Sequence, residues 1–247
     1  MKTIQLKLII LGDPAVGKTS LRRRYIGKNF EENYLMTIGA DFTSFQQQIS
    51  DVMVNGGIWD INGDITFNFI HNKYFEDSNG AIVVYDITNL DSLKNTENWI
   101  EKYVKHSKDK HGNIFLLANK IDLIGKGKEI DEFVEQQIVA KIRQKYSTLN
   151  IQTGRVSAKS GNFVDESFQK LLQQIVSQLS SKDKNKSSDN SDLQIWEFVK
   201  KYTMSRFTKC KGCKITFQND ENLLSCPRCN NMLKIDEELH LFVKNKE

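Results

Sequence analysis

The chain has 247 residues, 39% hydrophobic and 27% charged, a balance that excludes a disordered or membrane-embedded chain and allows one ordinary domain with an appendage. Its net charge of +4 is uneven: residues 1–179 hold 22 Lys+Arg against 21 Asp+Glu, residues 180–192 hold 3 against 3, and residues 193–247 hold 10 against 7. None of these is the strongly basic balance of a dedicated nucleic-acid binder, so nucleic acid is not the expected partner.

Strands and helices alternate along the first 179 residues. Leu6–Leu11 is an apolar run ending at Gly12, as a buried parallel strand would be, and Thr19–Ile26 follows as a helix. Asp41–Ser50 and Val52–Asp60 read as neighbouring strands with a polar corner at Asp51; Gly56 and Gly57 sit late in the second, where glycine weakens pairing and often marks a bulge. Gly80–Asp86 is a buried strand, and Ser92–His106 is an amphipathic helix with Leu93, Trp99 and Tyr103 on its inner face. Asn113–Ala118 is a further buried strand, Asp131 caps a helix running to about Tyr146, Ile151–Val156 is a short strand, and Val164–Leu179 closes as a helix. This alternation predicts an α/β three-layer domain over residues 1–179, with a mostly parallel sheet of about six strands. Residues 180–192 contain no apolar side chain and read as a flexible polar linker. Residues 193–247 form a second unit: a short amphipathic stretch whose Trp196, Phe198, Val199 and Tyr202 read as a packing face, then the cysteines.

Gly12-Asp13-Pro14-Ala15-Val16-Gly17-Lys18-Thr19 is G-x-x-x-x-G-K-T between a strand and a helix, the context that a phosphate-binding loop requires. In such a loop successive backbone N–H groups turn inward on the phosphates and the helix N-terminus adds a favourable dipole. Asp13, Pro14, Ala15, Val16, Gly17, Lys18, Thr19 and Ser20 are therefore expected around the phosphates, with Lys18 neutralising β- and γ-phosphate charge and the Thr19 hydroxyl on Mg²⁺. Asn119-Lys120-Ile121-Asp122 ends a later strand; a carboxylate there can accept from guanine N1–H and N2–H₂, a donor pair that adenine lacks. Ser157-Ala158-Lys159 follows the last strand and can close over the base through a backbone N–H, and Asp60 is the acidic residue expected to reach Mg²⁺. GTP or GDP with Mg²⁺ is the expected ligand.

On these residues the chain resembles a Ras-superfamily small GTPase, most like the Rab branch, over about residues 4–179. Thr37-Ile38-Gly39-Ala40-Asp41-Phe42 is similar to the first switch, and Trp59-Asp60-Ile61-Asn62-Gly63-Asp64 stands where the Rab pattern has W-D-T-A-G-Q. Lys73-Tyr74-Phe75 and Gly80–Thr88 continue the likeness. The resemblance implies that Thr37 binds Mg²⁺ and senses the γ-phosphate, that Gly63 donates its N–H to it, that Phe30 stacks on guanine and that Tyr34 lies over the phosphates. It also implies protein effectors and regulators acting on the switches. Asp64 stands in place of the glutamine that orients the attacking water, one carbon shorter and negatively charged, and Pro14 and Ala15 replace small, flexible residues. The expectation is a switch with slow hydrolysis using Lys18, Thr37, Gly63 and Asp64; the alternative is a non-hydrolysing, GTP-bound scaffold.

Cys210, Cys213, Cys226 and Cys229 form C-x₂-C-x₁₂-C-x₂-C, which resembles a zinc ribbon, although an iron–sulfur site would use the same ligands. Four thiolates leave zinc no open position, so the module is expected to be structural and to contact a protein partner. His71 reads as a solvated loop residue, and His106, His111 and His240 as surface residues. Lys2 stands where myristoylation needs glycine, no secretory segment follows, no cysteine for prenylation ends the chain, and no apolar run approaches the ~18 residues of a membrane span. The expected location is the cytoplasm, with any membrane association through partners.

Overall fold

The computed structural model describes residues 2–27, 40–61, 74–107, 112–183 and four short strands beyond them. The chain divides into two units, Met1–Ser188 and Asp189–Glu247. In the first, β1 (Lys2–Leu11) leads into α1 (Lys18–Tyr25), β2 (Ala40–Ile49), β3 (Val52–Ile61), β4 (Gly80–Asp86) and α2 (Leu90–His106). Then come β5 (Asn113–Asn119), a 3₁₀ turn (Ile121–Leu123), α3 (Glu132–Lys145), β6 (Asn150–Arg155) and α4 (Val164–Asp183).

Six strands form one sheet in the order β2-β3-β1-β4-β5-β6. Only the β2–β3 pair is antiparallel, its corner turning at Ser50 in a left-handed conformation with φ 55°. The inner strands are apolar on both faces because helices cover both: Leu8, Ile9, Ile10 and Leu11 of β1 are all fully buried, as are Ile82, Val83 and Val84 of β4. Leu6, Leu8 and Ile10 pack with Phe168, Leu171, Leu172 and Ile175 of α4 on one face. Leu93, Trp99 and Tyr103 of α2 are buried as the amphipathic pattern required, and Ile100 is buried with them. α2 begins two residues earlier than the pattern suggested, because the Asn89 side chain accepts from the N–H groups of Asp91 and Ser92 and caps it. α4 runs past Leu179 to Asp183, into the first residues expected of the linker.

The glycine pair in β3 makes no bulge. Pairing runs without a break from Ala40↔Ile61 to Ile49↔Val52, with Phe45 opposite Gly56 and Trp59 opposite Phe42. A Cβ on Gly56 would stand 2.0 Å from Phe45 Cζ, and one on Gly57 2.6 Å from Phe42 Cε2, so the rings of β2 occupy the space that side chains would fill. In the second unit, β7 (Phe207–Lys209) pairs antiparallel with β8 (Thr216–Gln218), and β9 (Leu233–Ile235) with β10 (Leu241–Val243). Among the described residues no helix is long and apolar enough to cross a membrane.

Candidate functional site

Three connections converge at the carboxyl edge of the parallel strands, the place where α/β sheets bind ligands. The first runs from β1 to α1. Gly17 caps α1 with φ 98°, and a Cβ there would stand 2.3 Å from Asn119 Nδ2, so glycine is required twice over, by conformation and by space. No side chain caps the helix and its first turn holds no acidic residue, which leaves a positive helix end for an anion. Lys18 is buried, and its ammonium donates to the carbonyl oxygens of Gly12 and Asp13, each at 2.8 Å. Burial lowers its pKa to about 8 against the pull of Asp60 and Asp13, so an added phosphate would restore a fully charged lysine. The Asp13 carboxylate accepts from Trp99 Nε1 at 2.8 Å and Asn95 Nδ2 at 2.9 Å, fixing the loop to α2. Ala15, at the loop's exposed tip, holds φ 62°.

The second connection follows β5. Asn119 is buried and joins two loops: its Nδ2 donates to the Val16 carbonyl at 2.8 Å, and its Oδ1 accepts from the Ala158 amide at 3.0 Å. Lys120 holds φ 69° and pairs with Asp86 Oδ2 at 2.6 Å. Burial alone would raise the Asp86 carboxyl, but hydrogen bonds from Lys120 and Thr88 outweigh it and hold the group below its ordinary value. In the third connection, after β6, Ser157 Oγ donates to Asp122 Oδ1 at 2.5 Å, orienting that carboxylate. Arg24, from the end of α1, donates to the carbonyls of Ala158 at 3.1 Å and Lys159 at 2.5 Å.

Asp60 lies near the end of β3 beside the phosphate loop and is completely buried. Neither carboxylate oxygen has a hydrogen bond of ordinary geometry. Burial pushes its pKa up, while Thr19, Arg22 and Lys18 favour its charged form. A buried carboxylate with two unsatisfied oxygens, next to a threonine hydroxyl, fits a divalent cation that prefers oxygen ligands. Among the described residues no three His, Cys, Asp or Glu side chains cluster as a metal site by themselves, so such an ion would need oxygens from its ligand as well.

The structure thus brings together Asp13 to Ser20, Asp60, Asn119 to Asp122 and Ser157 to Lys159. Phe30, Tyr34, Thr37, Gly63 and Asp64, and the four cysteines, lie outside the described residues. His106, expected at the surface, is half-buried with its ring 6.0 Å from that of Phe75 at 20°. Sequence reasoning missed Asp86, Arg22 and Arg24. A run of three arginines in an eight-residue helix reads as a solvated end, and only the three-dimensional neighbours show what each one holds. Phe42, Trp59 and Tyr74 add an aromatic row across β2, β3 and the segment before β4, with centroids 5.0 Å and 5.1 Å apart.

Comparison with known proteins agrees with this arrangement. A sequence model of the Ras family matches residues 7–177. The chain is 34% identical over 175 residues to the Ras-related protein Rab-7b of Paramecium octaurelia, covering 70% of this chain and 82% of that one. It is 31% identical over 176 residues to the Ras-related protein Rab-21 of Bos taurus, covering 71% and 75%.

Proposed function

The chain belongs to the Ras family, whose members are GTP-binding switches and GTPases, and on that premise we propose a Rab-like switch in which the residues gathered at the sheet edge hold GTP or GDP with Mg²⁺. The observation that carries this reading is the double hydrogen bond of Asn119, which ties the loop before α1 to the loop after β6. Lys18 and the loop amides take the phosphates, Thr19 and Asp60 hold Mg²⁺ with Thr37, and Phe30, Asp122 and the Ser157–Lys159 segment take the guanine. Tyr34 covers the phosphates, and Gly63 donates to the γ-phosphate. Mg²⁺ supplies charge neutralisation on the phosphates.

Competition binding with purified protein tests the base assignment. GTP should compete for the site far better than ATP, and Asp122→Asn should shift preference towards xanthine nucleotides, since an amide reverses one donor–acceptor match. Equal affinity for ATP and GTP would defeat the assignment. Hydrolysis is proposed to be slow, because Asp64 places a short negative side chain where water must be oriented. If single-turnover hydrolysis is undetectable, the chain acts as a GTP-bound scaffold.

The second unit is proposed to bind one Zn²⁺ through Cys210, Cys213, Cys226 and Cys229 and to contact a protein partner. Two features support this: the C-x₂-C pairs themselves, and the position of the first pair in the connection between the antiparallel strands β7 and β8. Elemental analysis should find one zinc per chain, and a chelator should unfold this unit while leaving GTP binding intact. A reduced, metal-free protein with this unit still folded would sink the proposal. The chain is proposed to work in the cytoplasm, with peripheral membrane association through partners.

A further inference from the structure

Arg22 is the fifth residue of α1, a helix whose first turn serves the phosphate loop, yet its side chain is only 6% exposed. A buried guanidinium needs anionic partners, because the cost of removing it from water is recovered only by pairing. Arg22 has two, from neighbouring strands: Asp41 and Asp60 face each other in the β2–β3 register. Its Nη2 donates to Asp41 Oδ2 and its Nη1 to Thr43 Oγ1, the latter at 2.7 Å. The third donor, Nε, is buried without an acceptor and stands 3.7 Å from Asp60 Oδ2, near enough for charge attraction but beyond a hydrogen bond. Thr19 lies beside Asp60 and favours its charged form, but neither Asp60 oxygen has a hydrogen bond of ordinary geometry. A buried donor without an acceptor and a buried carboxylate without a full set of donors therefore lie side by side.

We propose that Arg22 is a positioning residue that weakens the hold of the Asp60 site on a divalent cation by competing for the same carboxylate, and that Asp41 sets how much of that charge reaches Asp60. The inference rests on the reading of Asp60 as the carboxylate of nucleotide-bound Mg²⁺. The cation and the guanidinium share one negative charge, so each lowers the affinity of the carboxylate for the other. The fork to Asp41 and Thr43 holds Arg22 at its present distance. It also ties β2, whose first residues belong to the segment that resembles the first switch, to the carboxylate that serves the cation.

The test is release of a fluorescent GDP analogue from the full chain, measured against free Mg²⁺ in wild type, Arg22→Met, Arg22→Lys and Asp41→Asn. The readout is the Mg²⁺ concentration that half-maximally slows release. Arg22→Met should lower this midpoint by about tenfold, equivalent to about 1.4 kcal/mol. Arg22→Lys, which keeps the charge, should stay near wild type. Asp41→Asn, at a side chain that is 56% exposed, should fold normally and raise the midpoint, because it removes a negative neighbour and leaves the Arg22 charge less shared. A residue that only braces the fold would give the opposite sign for Arg22→Met, through a loosened site. An unchanged or higher midpoint in Arg22→Met, or an unchanged or lower one in Asp41→Asn, overturns the inference. Wild-type release that ignores Mg²⁺ overturns the Mg²⁺ reading and the inference with it. A responsive wild type whose variants fail to separate overturns the inference alone.

Discussion

Asn119 donates its side-chain amide to the carbonyl oxygen of Val16 at 2.8 Å, across 103 residues of chain, and so fixes the phosphate loop to the end of β5. Its Oδ1 takes the Ala158 amide at 3.0 Å, which makes the same side chain the clamp for the loop after β6. Asn119→Ala leaves a buried carbonyl and a buried amide unpaired. Unsatisfied buried groups cost about 1–3 kcal/mol each, so denaturant unfolding of the nucleotide-free protein should show a loss of about 2 kcal/mol or more. GDP release should quicken by at least about tenfold, since about 1.4 kcal/mol of lost pre-organisation suffices for that. Unchanged release would mean that the two loops are held by other contacts.

Gly56 and Phe45 form a second pairing with a measurable consequence. The ring of Phe45 lies over the glycine and also meets Tyr25 edge-on at 5.4 Å, while Tyr25 stacks on Phe168 at 3.9 Å. Gly56→Ala drives a methyl into the ring, and overpacking of this kind costs about 1–3 kcal/mol. The double variant Gly56→Ala with Phe45→Ala should be less destabilised than the sum of the two single changes, because the clash is gone. Additive losses in urea denaturation would show that the ring does not guard that space.

How much of this was legible in the sequence differs between elements. The apolar runs at Leu6–Leu11, Gly80–Asp86 and Asn113–Ala118 mark central strands because helices cover both faces, so burial left a local trace. β1 starts earlier, at Lys2, since its first residues pair with Val52 and Met53 of β3, and pairing partners leave no mark on the strand's own sequence. The glycines of β3 suggested a bulge because glycine alone carries no side chain to pack. The filling came from Phe42 and Phe45 on another strand. At the candidate site, spacing singled out Gly17, Lys18, Asn119, Asp122 and Ser157, and the structure brings these residues to one edge of the sheet. Arg22, Arg24 and Asp86 were not. Burial of an arginine depends on carboxylates that only the folded sheet brings near, and Arg24 holds backbone carbonyls, which have no sequence signature.

Asp86 gives the protein a predictable response to acid. Its carboxylate accepts from Thr88 N at 2.9 Å and Oγ1 at 2.7 Å and pairs with Lys120. Its folded pKa lies below the ordinary value of 3.8. A depressed carboxylate binds protons more weakly when folded than when unfolded, so its stabilising contribution is complete above about pH 4 and fades as pH falls through the lower folded value. Asp86→Asn should therefore be less stable than wild type at neutral pH, with the difference narrowing below about pH 4. A stability difference that stays constant from pH 7 to strong acid would rule out the charge as its source.

Hydrolysis should be limited by position 64. The proposal starts from Asp64 standing where small GTPases of this type are expected to carry a glutamine. A carboxylate there is repelled by the γ-phosphate, and its shorter side chain places no amide to donate and accept at the attacking water. Asp64→Gln should raise single-turnover hydrolysis by about tenfold, about 1.4 kcal/mol off the barrier and a modest share of what a positioning group can supply. Pro14 stands in the exposed tip of the phosphate loop, next to Ala15, whose φ of 62° is one that glycine adopts more readily. A stiff tip of this kind can hinder the same water, so Asp64→Gln with Pro14→Gly should exceed the single change. If wild type instead turns over briskly and both Asp64→Gln and Asp64→Ala abolish it, the aspartate is itself the group that activates the water. In that case Asp64 acts as a general base in place of a water-orienting amide, with Lys18 and Asp60 as its neighbours at the γ-phosphate.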